Sequence, residues 1–218
     1  MSYFRYIDNG EGPTKLFIGG IHGNEGKTII KILRKLKASD FSNGQIYIYN
    51  FDESPYISTL KEEFYQSNQG KKIINLIEKH KPDFYTELHS YHLKNYDKLL
   101  DESRLESQGV PPLISCDNHV LVSSVSPLIR QKYFTRDTIC KTLEIPAFEE
   151  YDFDKELVEK YDFDLDATLN RYFDFLDLIC SSKDRKDFED RIWVKYPHQV
   201  ELAMEYVKYV WDEDFPPY

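Results

Sequence analysis

The spacing of hydrophobic positions changes along this chain, and the changes divide it into elements. "KLFIGGI" (15–21) is an apolar run with the length and β-branched content of a buried strand. From about Gly26 to Leu36, residues Ile29, Ile30, Ile32, Leu33 and Leu36 gather on one side of a predicted helix. "QIYIYNF" (45–51) alternates with period two, as a half-buried strand does. "GKKIINLIEKH" (70–80) predicts a short amphipathic helix, and "DFYTELHSY" (83–91) a strand after the break at Pro82. "HVLVSSV" (119–125) and "TICKTLEI" (138–145) add two strands around a helix-compatible "SPLIRQKYF" (126–134).

Strands alternating with helices predict an α/β fold, a three-layer sandwich on a mostly parallel mixed sheet. From about Asp164 to Trp211 the pattern turns helical, as in "LDATLNRYFDFLDLI" and "HQVELAMEYVKYVW". Their aromatic and aliphatic stripes read as faces that cap the sheet. No low-complexity linker or internal repeat interrupts the chain. The expectation is one domain over 1–218, with an α/β core at about 15–146 and a helical part at about 164–211.

Composition narrows the function classes. The chain has 218 residues, 41% of them hydrophobic and 15% aromatic, which describes a folded protein with a substantial core. A net charge of −10 repels nucleic acid and anionic membrane surfaces, so neither is an expected partner. Cys116, Cys140 and Cys180 form no C-x-x-C motif and read as buried free thiols of a reducing compartment. "MSYFRYIDNGEG" lacks a signal-peptide core and no apolar run reaches transmembrane length, so a soluble, cytoplasmic protein is expected.

The chemistry concentrates in "LFIGGIHGNEGKT" (16–28). A strand passing through glycines into Gly26-Lys27-Thr28 at a helix start has the context of a phosphate-binding loop. That motif requires glycine where Ile21 stands, and Gly20 lies one residue too early. The loop instead carries His22 and Glu25, two metal-ligand types three apart. By itself such a pair also occurs in surface turns. Here it leaves the carboxyl end of a buried strand, where ligands collect in open α/β sheets, and flanking glycines allow both side chains to face one point. In "TELHSYH" (86–92), His89 lies near another strand end, and Glu87 shares its face and can orient the imidazole or a water. His89 can equally be a packed or capping residue. Together His22, Glu25 and His89 match a catalytic zinc site with its fourth position open. The acidic run "FEEYDFDKELVEKYDFDLD" (148–166) lacks the order of a calcium-binding loop and reads as a solvated face.

"GGIHGNEG" (19–26) and "ELHSY" (87–91) resemble the zinc motifs of the carboxypeptidase superfamily, especially its succinylglutamate desuccinylase and aspartoacylase branch. The resemblance covers about residues 15–146, and the chain is also similar to a group of uncharacterised archaeal proteins with this compact core. It implies a zinc ion held by His22, Glu25 and His89, and a catalytic glutamate on a later strand. "CKTLEIP" (140–146) offers Glu144 there, with Glu149 and Glu150 as fallbacks. The sequence departs from the branch twice. Its Asp-Leu-Asn-Arg segment is missing, since Arg34 is the one arginine between Glu25 and His89 and reads as solvent-exposed. The substrate-binding role then falls to Arg104, Arg130 or Arg136, with Arg130 preferred, or is absent. The branch's Asp-Leu-His is Glu87-Leu88-His89 here.

The resemblance implies hydrolysis of an N-acyl or peptide amide in a small-molecule or peptide substrate by a metal-activated water, with Glu144 as general base. The alternative from another class is a metal-binding or scaffold protein that keeps the fold without turnover. A nucleotide-binding reading rests on Gly26-Lys27-Thr28 alone.

Overall fold

A computed structural model describes residues 3–148 and 154–211, with side chains described as far as residue 208. Strands β1 (Tyr3–Asp8), β2 (Thr14–Gly19), β3 (Gln45–Asn50), β4 (Phe84–Tyr91), β5 (Ile114–Ser115), β6 (Leu121–Ser123) and β7 (Ile139–Pro146) form a seven-stranded sheet in the order β1-β3-β2-β4-β7-β6-β5. The central strands β3, β2, β4 and β7 are parallel to one another. The outer pairings are antiparallel: β1 on β3, β6 on β7 and β5 on β6. The sheet is therefore mixed, parallel at its centre and antiparallel at both edges.

Burial explains the centre. Every residue of β4 is buried, as expected for a strand covered on both faces. On one face Phe17, Phe84, Leu88 and Leu143 pack with α1 (Gly26–Leu33). The same cluster includes residues of three helices near the C-terminus, α8 (Leu165–Ser181), α9 (Arg185–Lys195) and α10 (Pro197–Trp211). On the other face Leu16, Ile18, Tyr85 and Cys140 pack with α2 (Glu62–Gln66), α3 (Asn68–His80) and α6 (Pro127–Tyr133). Three shorter helices are α4 (Tyr96–Leu100), α5 (Arg104–Gln108) and α7 (Lys155–Tyr161). The three cysteines are free and buried. Among the described residues no helix is long and apolar enough to cross a membrane.

Three expectations shift in detail. Helix α1 ends at Leu33, with Arg34 as its cap, and Leu36 is buried by the turn that follows rather than by the helix. "HVLVSSV" contributes only Leu121–Ser123 to the sheet. Asp117, Asn118 and His119 all adopt left-handed φ angles of 66°, 46° and 62°, which turns the chain tightly between β5 and β6. Strand β1 was not expected. It is an edge strand whose residues mostly alternate between exposed and half-buried.

Lys15 on β2 is fully buried, yet it is charged at neutral pH, because burial lowers its pKa only to about 8. Its Nζ donates to the carbonyl oxygens of Ile179, Cys180 and Ser182 at 2.8, 2.8 and 2.6 Å. These carbonyls close α8, whose last turn has no intrahelical donors and carries the negative end of the helix dipole. One lysine thus pins the end of α8 to the central sheet. Lys15→Met is expected to destabilise the protein by about 2–5 kcal/mol, since it removes a buried charge-assisted network and leaves the Ile179 carbonyl without its donor, while those of Cys180 and Ser182 keep only Ser42. Chemical denaturation measures this, and a change below about 0.5 kcal/mol, the level of an ordinary surface substitution, would contradict it.

Candidate metal centre

Parallel register builds the site. Gly19 of β2 pairs with Leu88 of β4, and His89 pairs with Glu144 of β7. The loop after β2, His89 and Glu144 therefore meet at one carboxyl edge of the sheet. The loop's glycines serve close packing. Gly20 has a left-handed φ of 73°, and a Cβ there would lie 1.9 Å from the Phe51 carbonyl oxygen. A Cβ on Gly26 would meet the same oxygen at 1.9 Å. Ser54 holds the loop from the other side, donating from its hydroxyl to the Gly20 carbonyl and from its amide to the Gly23 carbonyl.

This packing turns His22 and Glu25 inward. Glu25 sits at the N-terminal end of α1, where the helix dipole favours an anion, and its Oε2 accepts the His22 amide at 3.0 Å. Its carboxylate stands 3.4 Å from His22 Nδ1 through Oε1 and 3.2 Å from His89 Nδ1 through Oε2. The other ring nitrogen of His89, Nε2, lies 3.3 Å from Glu87 Oε2, and the Tyr85 hydroxyl donates to Glu87 Oε1 at 2.8 Å. Tyr85, Glu87 and His89 alternate onto one face of β4, so a single strand presents an imidazole already oriented by a carboxylate.

The cluster has the properties of a cation site. One ligand atom from each of His22, Glu25 and His89 lies within 4.8 Å of the other two. Donors sharing a tetrahedral zinc at about 2.0–2.2 Å stand roughly 3.5 Å apart, so a small inward rotation suffices. His89 Nδ1, which faces Glu25, is buried and makes no aligned hydrogen bond, an orphaned atom that a metal would satisfy. The residues present thus fit zinc in number, chemistry and position.

Electrostatics tie these groups together. Burial alone would raise the Glu25 pKa, but His89 and His22 outweigh it and hold the carboxyl at about 2. Burial opposes charge on His89, yet Glu25 and then Glu87 and Glu144 drive its pKa well above the usual value. Without metal the site is a buried imidazolium–carboxylate pair. Glu144 behaves in the opposite way: burial, aided by Glu25 and opposed by His89, lifts its pKa to about 7.

Glu144, His22, His89, Glu87 and Arg104 line a cavity of about 290 Å³. Arg104, at the start of α5, is the arginine brought to this site. Arg130 is not brought there. Its guanidinium donates to the carbonyls of Thr135, Arg136 and Thr138, which ties the turn after α6 to the start of β7. Arg34 and Arg136 are exposed and do not line the cavity. Glu149 and Glu150 lie outside the described residues. Sequence reasoning missed Tyr85, although its two-residue offset from Glu87 was a usable signal.

These shifts predict a pH dependence. In the metal-free protein the Glu25 contribution is complete above pH 4.5 and lost as pH falls through about 2. The His89 contribution is complete below pH 6.5 and lost as pH rises through its raised pKa. Metal must displace the His89 proton, so zinc affinity is expected to rise with pH through neutrality, by up to about tenfold per unit for one proton released. Calorimetric titrations in buffers of different ionisation enthalpy measure that proton. Affinity independent of pH between 6 and 8 would contradict the arrangement.

The uncharacterized protein MJ0501 of Methanocaldococcus jannaschii is 37% identical to the chain over 204 residues, covering 91% of this chain and 92% of the relative. No solved structure matches the chain. The chain belongs to the family described as uncharacterized protein conserved in archaea (DUF2119), which matches it over residues 10–212.

Proposed function

We propose that this chain is a zinc-dependent amide hydrolase with the architecture of the zinc carboxypeptidase superfamily, near its desuccinylase and aspartoacylase branch, working on a small cytoplasmic substrate. The observation that carries the reading is the convergence of His22, Glu25 and His89 beside a cavity that also holds Glu144. His22, Glu25 and His89 would hold the ion. Bound there, zinc supplies Lewis acidity, which polarises a carbonyl oxygen and lowers the pKa of water in the open position from about 15.7 toward about 7.

The chain's own residues supply the rest. Glu144, with a pKa near 7, can take a proton from the attacking water and return it to the leaving amine. Glu87 fixes the ring of His89, and Tyr85 fixes Glu87. Arg104 takes the anchoring role expected of an arginine, beside Glu144 on the cavity wall. A metal-binding protein without turnover is the second reading. It is favoured by the engagement of Arg130 elsewhere and by the Glu25–His89 ion pair, whose charges balance without a metal. Chelator-sensitive hydrolysis of a panel of N-acyl amino acids supports the enzyme; stable zinc binding with no hydrolysis supports the second reading.

Glu144→Gln is expected to keep its zinc while kcat falls by a factor on the order of 10²–10⁴, the usual worth of a positioned acid–base group. Glu25→Gln is expected to lose zinc as well as rate, because a charged ligand becomes neutral. Parallel metal analysis and steady-state kinetics separate the two. Full activity in Glu144→Gln would remove it as the base.

A further inference from the structure

We propose that the cavity beside the metal-binding cluster selects an apolar side chain of one amino-acid residue, so that the amide cleaved is an N-acyl derivative of an apolar amino acid. This rests on the reading of the site as an amide hydrolase.

Size comes first. The cavity of about 290 Å³ lies just below the range for small-molecule sites, roughly 300–1,000 Å³. It holds one compact molecule rather than a polypeptide. Its walls are asymmetric. His22, His89, Glu144 and Arg104 contribute the charged groups that chemistry and anchoring require. Elsewhere, elements far apart in sequence each deliver hydrocarbon: Leu113 before β5, Val125 before α6, Phe175 on α8, Ile192 on α9, and Val200 and Val207 on α10.

Several of the polar groups that reach the wall are already engaged within the protein. Thr142 donates to the Ser124 carbonyl at 3.4 Å, and Gln199 donates to the Ser115 carbonyl at 3.1 Å. The Ser126 hydroxyl caps α6 by accepting the Leu128 amide. Lys141, a second cation on the wall, has an interaction of its own within the protein. Apolar side chains predominate on the wall, so a substrate carboxylate placed among them would lose more hydration than the few polar groups there restore, whereas an aliphatic group of the same shape gains burial.

N-acetyl-L-leucine and N-acetyl-L-aspartate test this, because they share the acetyl and α-carboxylate groups and have side chains of similar shape. Zinc-loaded protein is expected to favour the leucine derivative in kcat/KM by a factor on the order of 10² or more. Zinc-loaded Glu144→Gln should show the same order of affinities in calorimetry. Ala203→Trp on α10, which fills the cavity, should weaken leucine-derivative binding about tenfold or more with zinc content and melting temperature kept. Should that variant not fold, Ala203→Leu takes its place, and binding unchanged there overturns the inference. Equal use of both compounds, or preference for the aspartate derivative, also overturns it and leaves the hydrolase reading standing. Tight, Ala203-dependent binding of the leucine derivative without cleavage upholds the apolar site and sinks the hydrolase reading. Binding of neither compound overturns the inference.

Discussion

Parallel, in-register pairing of β2, β4 and β7 is the constraint on which the site depends. Side chains alternate along a strand, so a slip of one residue in β4 would carry Tyr85, Glu87 and His89 together to the opposite face. They would then meet α1 and α8 instead of Glu25. Such a slip is opposed along the whole strand, because both faces of β4 are buried and each has its own packed cluster. The same register places Glu144 opposite His89. A loop, a histidine and a glutamate from distant parts of the chain thus share one edge because hydrophobic packing allows a single alignment.

Buried charge is the second theme. An ion removed from water costs several kcal/mol unless it is paired, and the partners of Lys15, Glu25, Glu87 and His89 also organise structure. Lys15 joins the sheet to the end of α8. Glu25 and His89 hold each other, while Glu87 divides its oxygens between His89 and Tyr85. A proton on His89 occupies the position that a metal ion would take. Zinc binding would exchange that proton for a divalent cation with the ligands already gathered, so little ordering entropy would oppose it.

Much of the central sheet was legible because its signals are local. The apolar runs of β2, β4 and β7 and the alternation of β3 stand out in any reading of the chain. The loop motif was legible too, since Ile21 breaks the phosphate-loop spacing and His22 and Glu25 sit where a strand ends. Strand β1 was not, because an edge strand with Arg5 and Asp8 among its residues lacks a clean apolar face. The antiparallel edges were hidden by brevity: β5 has two residues, and three left-handed residues cut β6 short. The sequence favoured Arg130, yet Arg104 lines the cavity, since their neighbours in sequence say nothing of which reaches it. Lys15 was invisible for the same reason, as its acceptors lie more than 160 residues away.

The central claim is that His22, Glu25 and His89 form one metal site. Equilibrium dialysis against zinc of the unmodified protein, His22→Ala and His89→Ala tests it most directly, with bound metal counted per chain. The account predicts about one tightly held ion in the unmodified protein and loss of that site in both variants, since a catalytic zinc needs about three protein ligands. Undiminished zinc binding in His89→Ala would contradict it.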